Sequence, residues 1–177
     1  MTDTAVFAID QGLVEVGEAR DFDAFVVQRS GRLWRAAWLL TGDRQRAEDL
    51  VQTALTKCYS KYAALSDDDA FEAYLRTTMY RTYVSWWRRR WNGEQPAEQL
   101  PEGSLDAAFE TTQVDLARAL GELPKMQRAV LVLRFFDDRS VADVAQLLGI
   151  SEGTVKTHSS RGCAALRGSL HLAEEKP

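Results

Sequence analysis

Apolar residues recur along the chain at three- and four-residue steps, the period of a helix with one buried face. Phe22, Phe25, Val26, Leu33, Ala37 and Leu40 hold such a face over several turns, with Asp21 placed to cap the first of them. Thr41-Gly42-Asp43 ends this helix and begins a second, from Arg44 to about Tyr62. It buries Ala47, Leu50, Val51, Ala54 and Cys58 and leaves Glu48, Asp49, Gln52 and Lys57 outside. Two amphipathic helices joined by so tight a turn pack antiparallel. Leu65 to Asp69 then breaks the pattern, and its serine and aspartates cap a third helix from Ala70 to about Trp91.

The period lapses over residues 92–110, NGEQPAEQLPEGSLDAAFE, where two prolines, two glycines and five acids have the composition of a linker. Beyond it Val114, Ala117, Leu120 and Leu123 mark one helix; Pro124 opens the next, which Val130, Leu133 and Phe136 carry to Asp137-Asp138. Val141, Val144, Ala145 and Leu148 resume the spacing until Gly149 stops it. Ser151 restarts the chain as a cap, Glu152 favours the positive end of the new helix, and Val155 and Leu166 form its apolar face. Ala145, Gly149 and Val155 stand at i, i+4 and i+10, where crossing helices need a small residue, a tight turn and a branched apolar lock. This is a helix-turn-helix. The predicted fold is all-α: two small helical domains, residues 21–92 and 112–172, on a flexible acidic linker over 93–111. Residues 1–20 read as a poorly ordered extension or one short helix.

Charge changes the picture next. The net charge of −4 argues against nucleic acid as a partner, yet the charges are segregated. From Ala73 to Gly93 there are five arginines and no acid, and from Asn92 to Glu122 seven carboxylates against Arg118. Screening at physiological salt limits surface charges to about 8 Å, so the local field decides binding. On the last helix Lys156, Thr157, Ser160 and Arg161 share a side, with Thr154 close by and no carboxylate from Gly153 to Leu172. Such a face fits a major groove, with the cations for guanine edges or phosphates. The third helix adds Phe71, Tyr74, Tyr80, Tyr83, Trp86, Trp87 and Trp91 to the five arginines, more rings than one core stripe uses. Arginines hold phosphates while exposed rings stack on unpaired bases, at about 1–3 kcal/mol per stack. That interleaving points to single-stranded nucleic acid, against a plain aromatic core helix with a solvated arginine edge.

Other chemistries find little support. Cys58 and Cys163 are single and far apart, and His158 and His171 are the two histidines, so reduced thiols and no metal are expected. The SDDD run lacks the glycine and closing glutamate of a calcium loop. With no phosphate-binding GxxxxGK[ST] loop and no paired His and carboxylate constellation, neither cofactor nor catalysis is expected. The apolar runs are short and interrupted by charge, and the N-terminus lacks the pattern of a secretion signal, which points to the cytoplasm.

The order LTGDRQRAEDLVQTAL, YLRTTMYRTYVSWWRRR, acidic linker, LPKMQRAVLVLRFFDDRSVADVAQLLGISEGTVKTHSSR resembles an ECF (extracytoplasmic-function) RNA polymerase sigma factor. It is similar in particular to the SigE-like actinobacterial group, and the resemblance covers about residues 20–170. It implies sigma region 2 over 21–92 and sigma region 4 over 112–172, and promoter recognition and DNA opening in transcription initiation as a subunit of core RNA polymerase. Glu48, Asp49 and Gln52 would meet the clamp of the largest polymerase subunit, and the C-terminal domain its flap. Arg76, Arg81, Trp86, Trp87 and Arg88 would hold the single-stranded minus-ten element, beside a flipped base near Ser66 to Asp69. Thr154, Lys156, Thr157, Ser160 and Arg161 would read the minus-thirty-five element. The linker would thread toward the polymerase active-site cleft. Many relatives have Asn where Arg81 stands, so the minus-ten preference of this chain is open. An anti-sigma factor is a further partner the family admits.

The alternative reading is a stand-alone helix-turn-helix regulator, which would bring a dimer surface to match a two-fold operator. It leaves the aromatic and basic helix without a task. A nucleic-acid enzyme would use that helix but has no catalytic groups in this sequence.

Overall fold

The computed structural model describes residues 20–91 and 111–169. The expectations for the N-terminal extension, apart from Arg20, and for the linker, apart from Thr111, lie outside the described residues. Every regular element among the described residues is helical.

The first helix, α1 (Phe22–Thr41), starts on Asp21, whose carboxylate accepts from the Asp23 N–H. It ends at Gly42, left-handed at φ 67°, and Asp43 then caps α2 (Arg44–Cys58) by accepting from the Arg46 N–H at 2.7 Å. The second helix is shorter than the periodicity suggests, because residues Tyr59–Lys61 tighten into one 3-10 turn. Helix α3 (Asp68–Trp91) begins after Asp67 accepts from the Ala70 N–H at 2.7 Å. This bond lowers the Asp67 pKa, and it gives the SDDD run its role as a capped loop.

All five predicted core residues of α2 are buried. Phe25, Tyr62 and Phe71 meet them in an aromatic knot, with ring centroids 4.9–5.8 Å apart. Arg20 closes the knot from outside, donating to the carbonyls of Tyr62 and Leu65 and lying 4.5 Å over the Tyr62 ring. These three helices make the first lobe.

The second lobe holds α4 (Thr111–Gly121), α5 (Lys125–Leu131), α6 (Val141–Leu148) and α7 (Glu152–Arg167). Between α5 and α6 the chain runs as a turn of π-helix over Val132–Phe136, closed by the Asp137 N–H on the Val132 carbonyl at 3.0 Å. The wider turn corrects one expectation. Val130 and Leu133 are buried, but Phe136 is 40% exposed, and Phe135 63%. A five-residue step rotates the ring away from the stripe that an unbroken α-helix would have kept inward.

Helix α6 starts on a reciprocal capping box between Ser140 and Asp143. Gly149, left-handed at φ 67°, ends it; Ile150 follows, and Ser151 caps α7. Helix α7 crosses α5 at Gly162, where a Cβ would stand 2.8 Å from Leu131 Cδ1. A side chain there would have to push the Leu131 methyl aside.

The lobes are not apart. One continuous cluster of buried side chains runs from Phe25, Leu40 and Tyr80 in the first to Val130, Leu133 and Val144 in the second. Helix α3 packs on α6, and α1 on α4, α5 and the π-turn.

Candidate nucleic-acid interface

Three helix surfaces carry the candidate residues, each set by its own local sequence. On α2 the apolar positions face the core and turn Glu48, Asp49 and Gln52 onto exposed surface. Gln45 Nε2 donates to Asp49 across one turn at 3.2 Å. The face is polar, with Glu48 and Asp49 set beside Gln52.

On α7, Val155 and Gly162 point inward, which brings Lys156, Thr157, Ser160 and Arg161 out together on exposed surface. Thr154 is half-buried at the helix start, its N–H donating to the Ser151 hydroxyl at 3.1 Å. The Thr157 hydroxyl donates to the Gly153 carbonyl at 3.0 Å and keeps its lone pairs as acceptors. Lys156 and Arg161 form no ion pair among the described residues, so both cations face solvent. His158 and Ser159 turn toward the protein; His158 Nδ1 and Ser159 Oγ are buried without a partner among the described residues.

Helix α3 divides its candidates. Phe71, Leu75, Met79 and Tyr80 are buried, and Tyr83 donates its hydroxyl to the Leu40 carbonyl at 3.1 Å, where burial pushes up its pKa. Trp86 and Trp87 are half-buried, and Trp86 leans on the core. Arg81 is exposed. Tyr74, which stands outside the set expected to hold the strand, is 41% exposed. Tyr74, Arg81 and Arg88 stand at i, i+7 and i+14, a spacing that puts them on one face.

Arg76 and Arg88 reach across to the second lobe. Arg88 Nη2 donates to the Leu148 carbonyl at 3.0 Å, at the last turn of α6. Arg76 has a side chain only 14% exposed: its Nε donates to Glu72 at 3.0 Å and its Nη1 to Asp137 at 2.8 Å. Burial works against its charge, but Tyr80, Asp137 and Glu72 raise its pKa above the ordinary arginine value. Arg139 donates from Nε to the other Asp137 oxygen at 2.6 Å and from Nη2 to Thr77 at 3.2 Å, with its guanidinium 5.2 Å over the Tyr80 ring. Burial, with the Asp137 charge next, drives the Tyr80 phenol far above its ordinary pKa. Asp137 and Arg139 could not be picked out from spacing, because a single acid and a single base in a short connection carry no periodic signal.

Two family models match the chain: Sigma-70 region 2 over residues 25–93 and Sigma-70, region 4 over residues 113–166. These matches cover most of the first lobe and most of the helix-turn-helix lobe. The RNA polymerase sigma-E factor of Streptomyces coelicolor is 40% identical over 157 residues, covering 88% of this chain and 89% of the relative. The RNA polymerase sigma factor SigV of Bacillus subtilis is 27% identical over 141 residues, with 77% and 83% covered. The chain belongs to the ECF sigma-factor family, in its SigE-like group. Among solved structures, the sigma factor RpoE of Bartonella quintana in complex with the anti-sigma factor NepR aligns with a TM-score of 0.58 at 23% identity, covering 88% of this chain and 98% of that one. That likeness is one of fold. The extracytoplasmic function sigma factor SigJ of Mycobacterium tuberculosis aligns with a TM-score of 0.57 at 26% identity, with 83% and 54% covered. As an alternative sigma factor, the protein directs promoter recognition in transcription initiation, with core RNA polymerase and promoter DNA as its partners. No described helix of the sigma factor is long and apolar enough to cross a membrane.

Proposed function

We propose that the three surfaces divide the work of a sigma factor between them. The exposed, carboxylate-free side of α7 reads the minus-thirty-five element through Lys156, Thr157, Ser160 and Arg161, with Thr154 at the helix start. Arg76, Arg81, Trp86, Trp87 and Arg88 on α3 hold the opened minus-ten strand. Glu48, Asp49 and Gln52 on α2 dock on the polymerase clamp, and the second lobe reaches the flap. The Bartonella quintana relative was solved with an anti-sigma factor, and the exposed acidic side of α2 is a surface that such a partner could cover. The observation that carries the division is the solvent-facing cluster of Lys156, Thr157, Ser160 and Arg161 inside the region 4 match. A cation in register with a guanine edge contributes about 1–3 kcal/mol of discrimination.

The test is transcription from a genomic fragment library by core polymerase with the purified chain. Lys156→Ala with Arg161→Ala is expected to lower use of promoters that depend on the upstream element while leaving polymerase capture intact. Asp49→Ala with Gln52→Ala should do the reverse. Equal loss of both functions in both folded pairs would overturn the assignment. DNA binding at full strength without polymerase would favour a stand-alone regulator.

A further inference from the structure

The third helix is not alone in its charge. From Ala24 to Gly42, α1 carries three arginines and no carboxylate. The two basic helices pack on one another with Glu72 at their join. Arg29 Nη1 and Arg32 Nη2 donate to one Glu72 oxygen at 2.7 and 3.0 Å, and Arg76 Nε donates to the other at 3.0 Å. Glu72 is 7% exposed, so its charge is spent inside the fold. Two more acids complete the network: Asp69 takes Arg29 at 3.0 Å, and Asp137 takes Arg76 and Arg139 at 2.8 and 2.6 Å. Three carboxylates thus serve four guanidiniums, while Arg35 forms no ion pair among the described residues. The surplus positive charge lies on Arg32 and Arg35.

Gln28, Arg32 and Arg35 stand at i, i+4 and i+7 on one face of α1, and all three are exposed. The Arg32 side chain is 58% exposed while the second lobe packs on α3, so a ligand reaches it in that arrangement. Glu72 fixes one edge of its guanidinium and leaves the rest of the fork to solvent, in the geometry that pairs with phosphate oxygens. We propose that Arg32 and Arg35 are further phosphate contacts of the opened strand, which carry its backbone from α3 onto α1. The inference rests on the assignment of α3 to the minus-ten strand. Contacts of this kind position the strand without reading its bases, so they act alike on every promoter.

The experiment uses the full chain and a labelled single-stranded oligodeoxynucleotide of mixed sequence, with binding followed by fluorescence anisotropy over about 50–200 mM salt. On a single strand each phosphate contact adds about 0.7 to the steepness of log affinity against log salt. Arg32→Gln with Arg35→Gln is therefore expected to lower the steepness by about 1.4. Arg32→Lys with Arg35→Lys should keep it, because the steepness counts charges and is blind to the bond with Glu72. Arg81→Gln, on the exposed side of α3, should lower it by about 0.7. If Arg81→Gln does so while the glutamine pair on α1 keeps the wild-type value, the α1 contacts are overturned and the α3 assignment stands. If none of these variants lowers it, the strand lies on neither helix, and the inference falls with that assignment. Should the glutamine pair fail to unfold cooperatively, Arg35→Gln alone decides, since its side chain holds no ion pair among the described residues and its loss should still remove about 0.7.

Discussion

Gly31 and Gly149 both serve helices, yet alanine should act on them in opposite directions. Gly31 lies inside α1 on the exposed side, and a Cβ there would meet nothing within 4 Å. What alanine changes there is the freedom of the unfolded chain, so Gly31→Ala should raise stability by about 0.5–1 kcal/mol in thermal unfolding followed by circular dichroism. Gly149 holds a left-handed φ of 67° with Arg88 against it. A side chain there costs about 1–2 kcal/mol in backbone strain alone, and Gly149→Ala must also push the guanidinium aside. It should lower the unfolding midpoint, and a rise would mean that neither the conformation nor the contact holds in solution.

At the scale of elements, helix α6 has eight residues and depends on how it begins. The Asp143 carboxylate accepts from Ser140 while the Ser140 hydroxyl accepts from the Asp143 N–H at 3.0 Å. The Ser140 side-chain bond lowers the Asp143 pKa below its ordinary 3.8. A carboxyl whose folded pKa is lowered contributes stability that is present above the unfolded value and lost as pH falls through the folded one. Urea unfolding between pH 5 and pH 2, on the order of that range, should therefore lose part of its pH dependence in Asp143→Asn. Ser140→Ala should cost about 0.5–2 kcal/mol at neutral pH. Identical pH profiles for Asp143→Asn and the parent would count against the cap. Helix starts of this kind were legible because a cap is a local event: Asp21, Asp43 and Ser151 each bond an N–H two or three residues ahead. The π-turn was not legible, since Val132–Phe136 has the spacing of an ordinary helix and its extra residue is imposed by what the connection to α6 must reach. That is why Phe136 was expected inside.

At the scale of the molecule, Arg128 joins what the sequence separates. It is 5% exposed and donates to the carbonyls of Leu120 at 2.8 Å, Gly121 at 2.6 Å and Leu40 at 3.4 Å. Burial lowers its pKa, partly offset by Tyr83. The C-terminal carbonyls of α1 and α4, the negative ends of two helices, hold its charge. Nothing in the chain advertises this, or the pairing of Arg76 with Asp137, because both join residues whose distance in sequence exceeds any helical period. The helices and the exposure of Lys156, Thr157, Ser160 and Arg161 could be read from spacing, whereas the packing of one lobe on the other is visible only once both exist. All five tryptophans lie between Trp34 and Trp91, so their fluorescence follows the first lobe while circular dichroism follows both. The shared core predicts coincident urea transitions by the two probes. Arg128→Met takes the guanidinium from three carbonyls, of which Leu40 keeps the Tyr83 hydroxyl and Leu120 the Leu123 N–H, and should cost about 3 kcal/mol. Arg128→Lys should recover only part of it, because one ammonium lacks the fork that reaches both helix ends. The loss should also pull the two transitions apart, with dichroism beginning to fall before tryptophan emission shifts. Coincident curves in Arg128→Met would mean that the apolar contacts between the lobes suffice to unfold them as one, and separate curves already in the parent chain would mean that the lobes are independent.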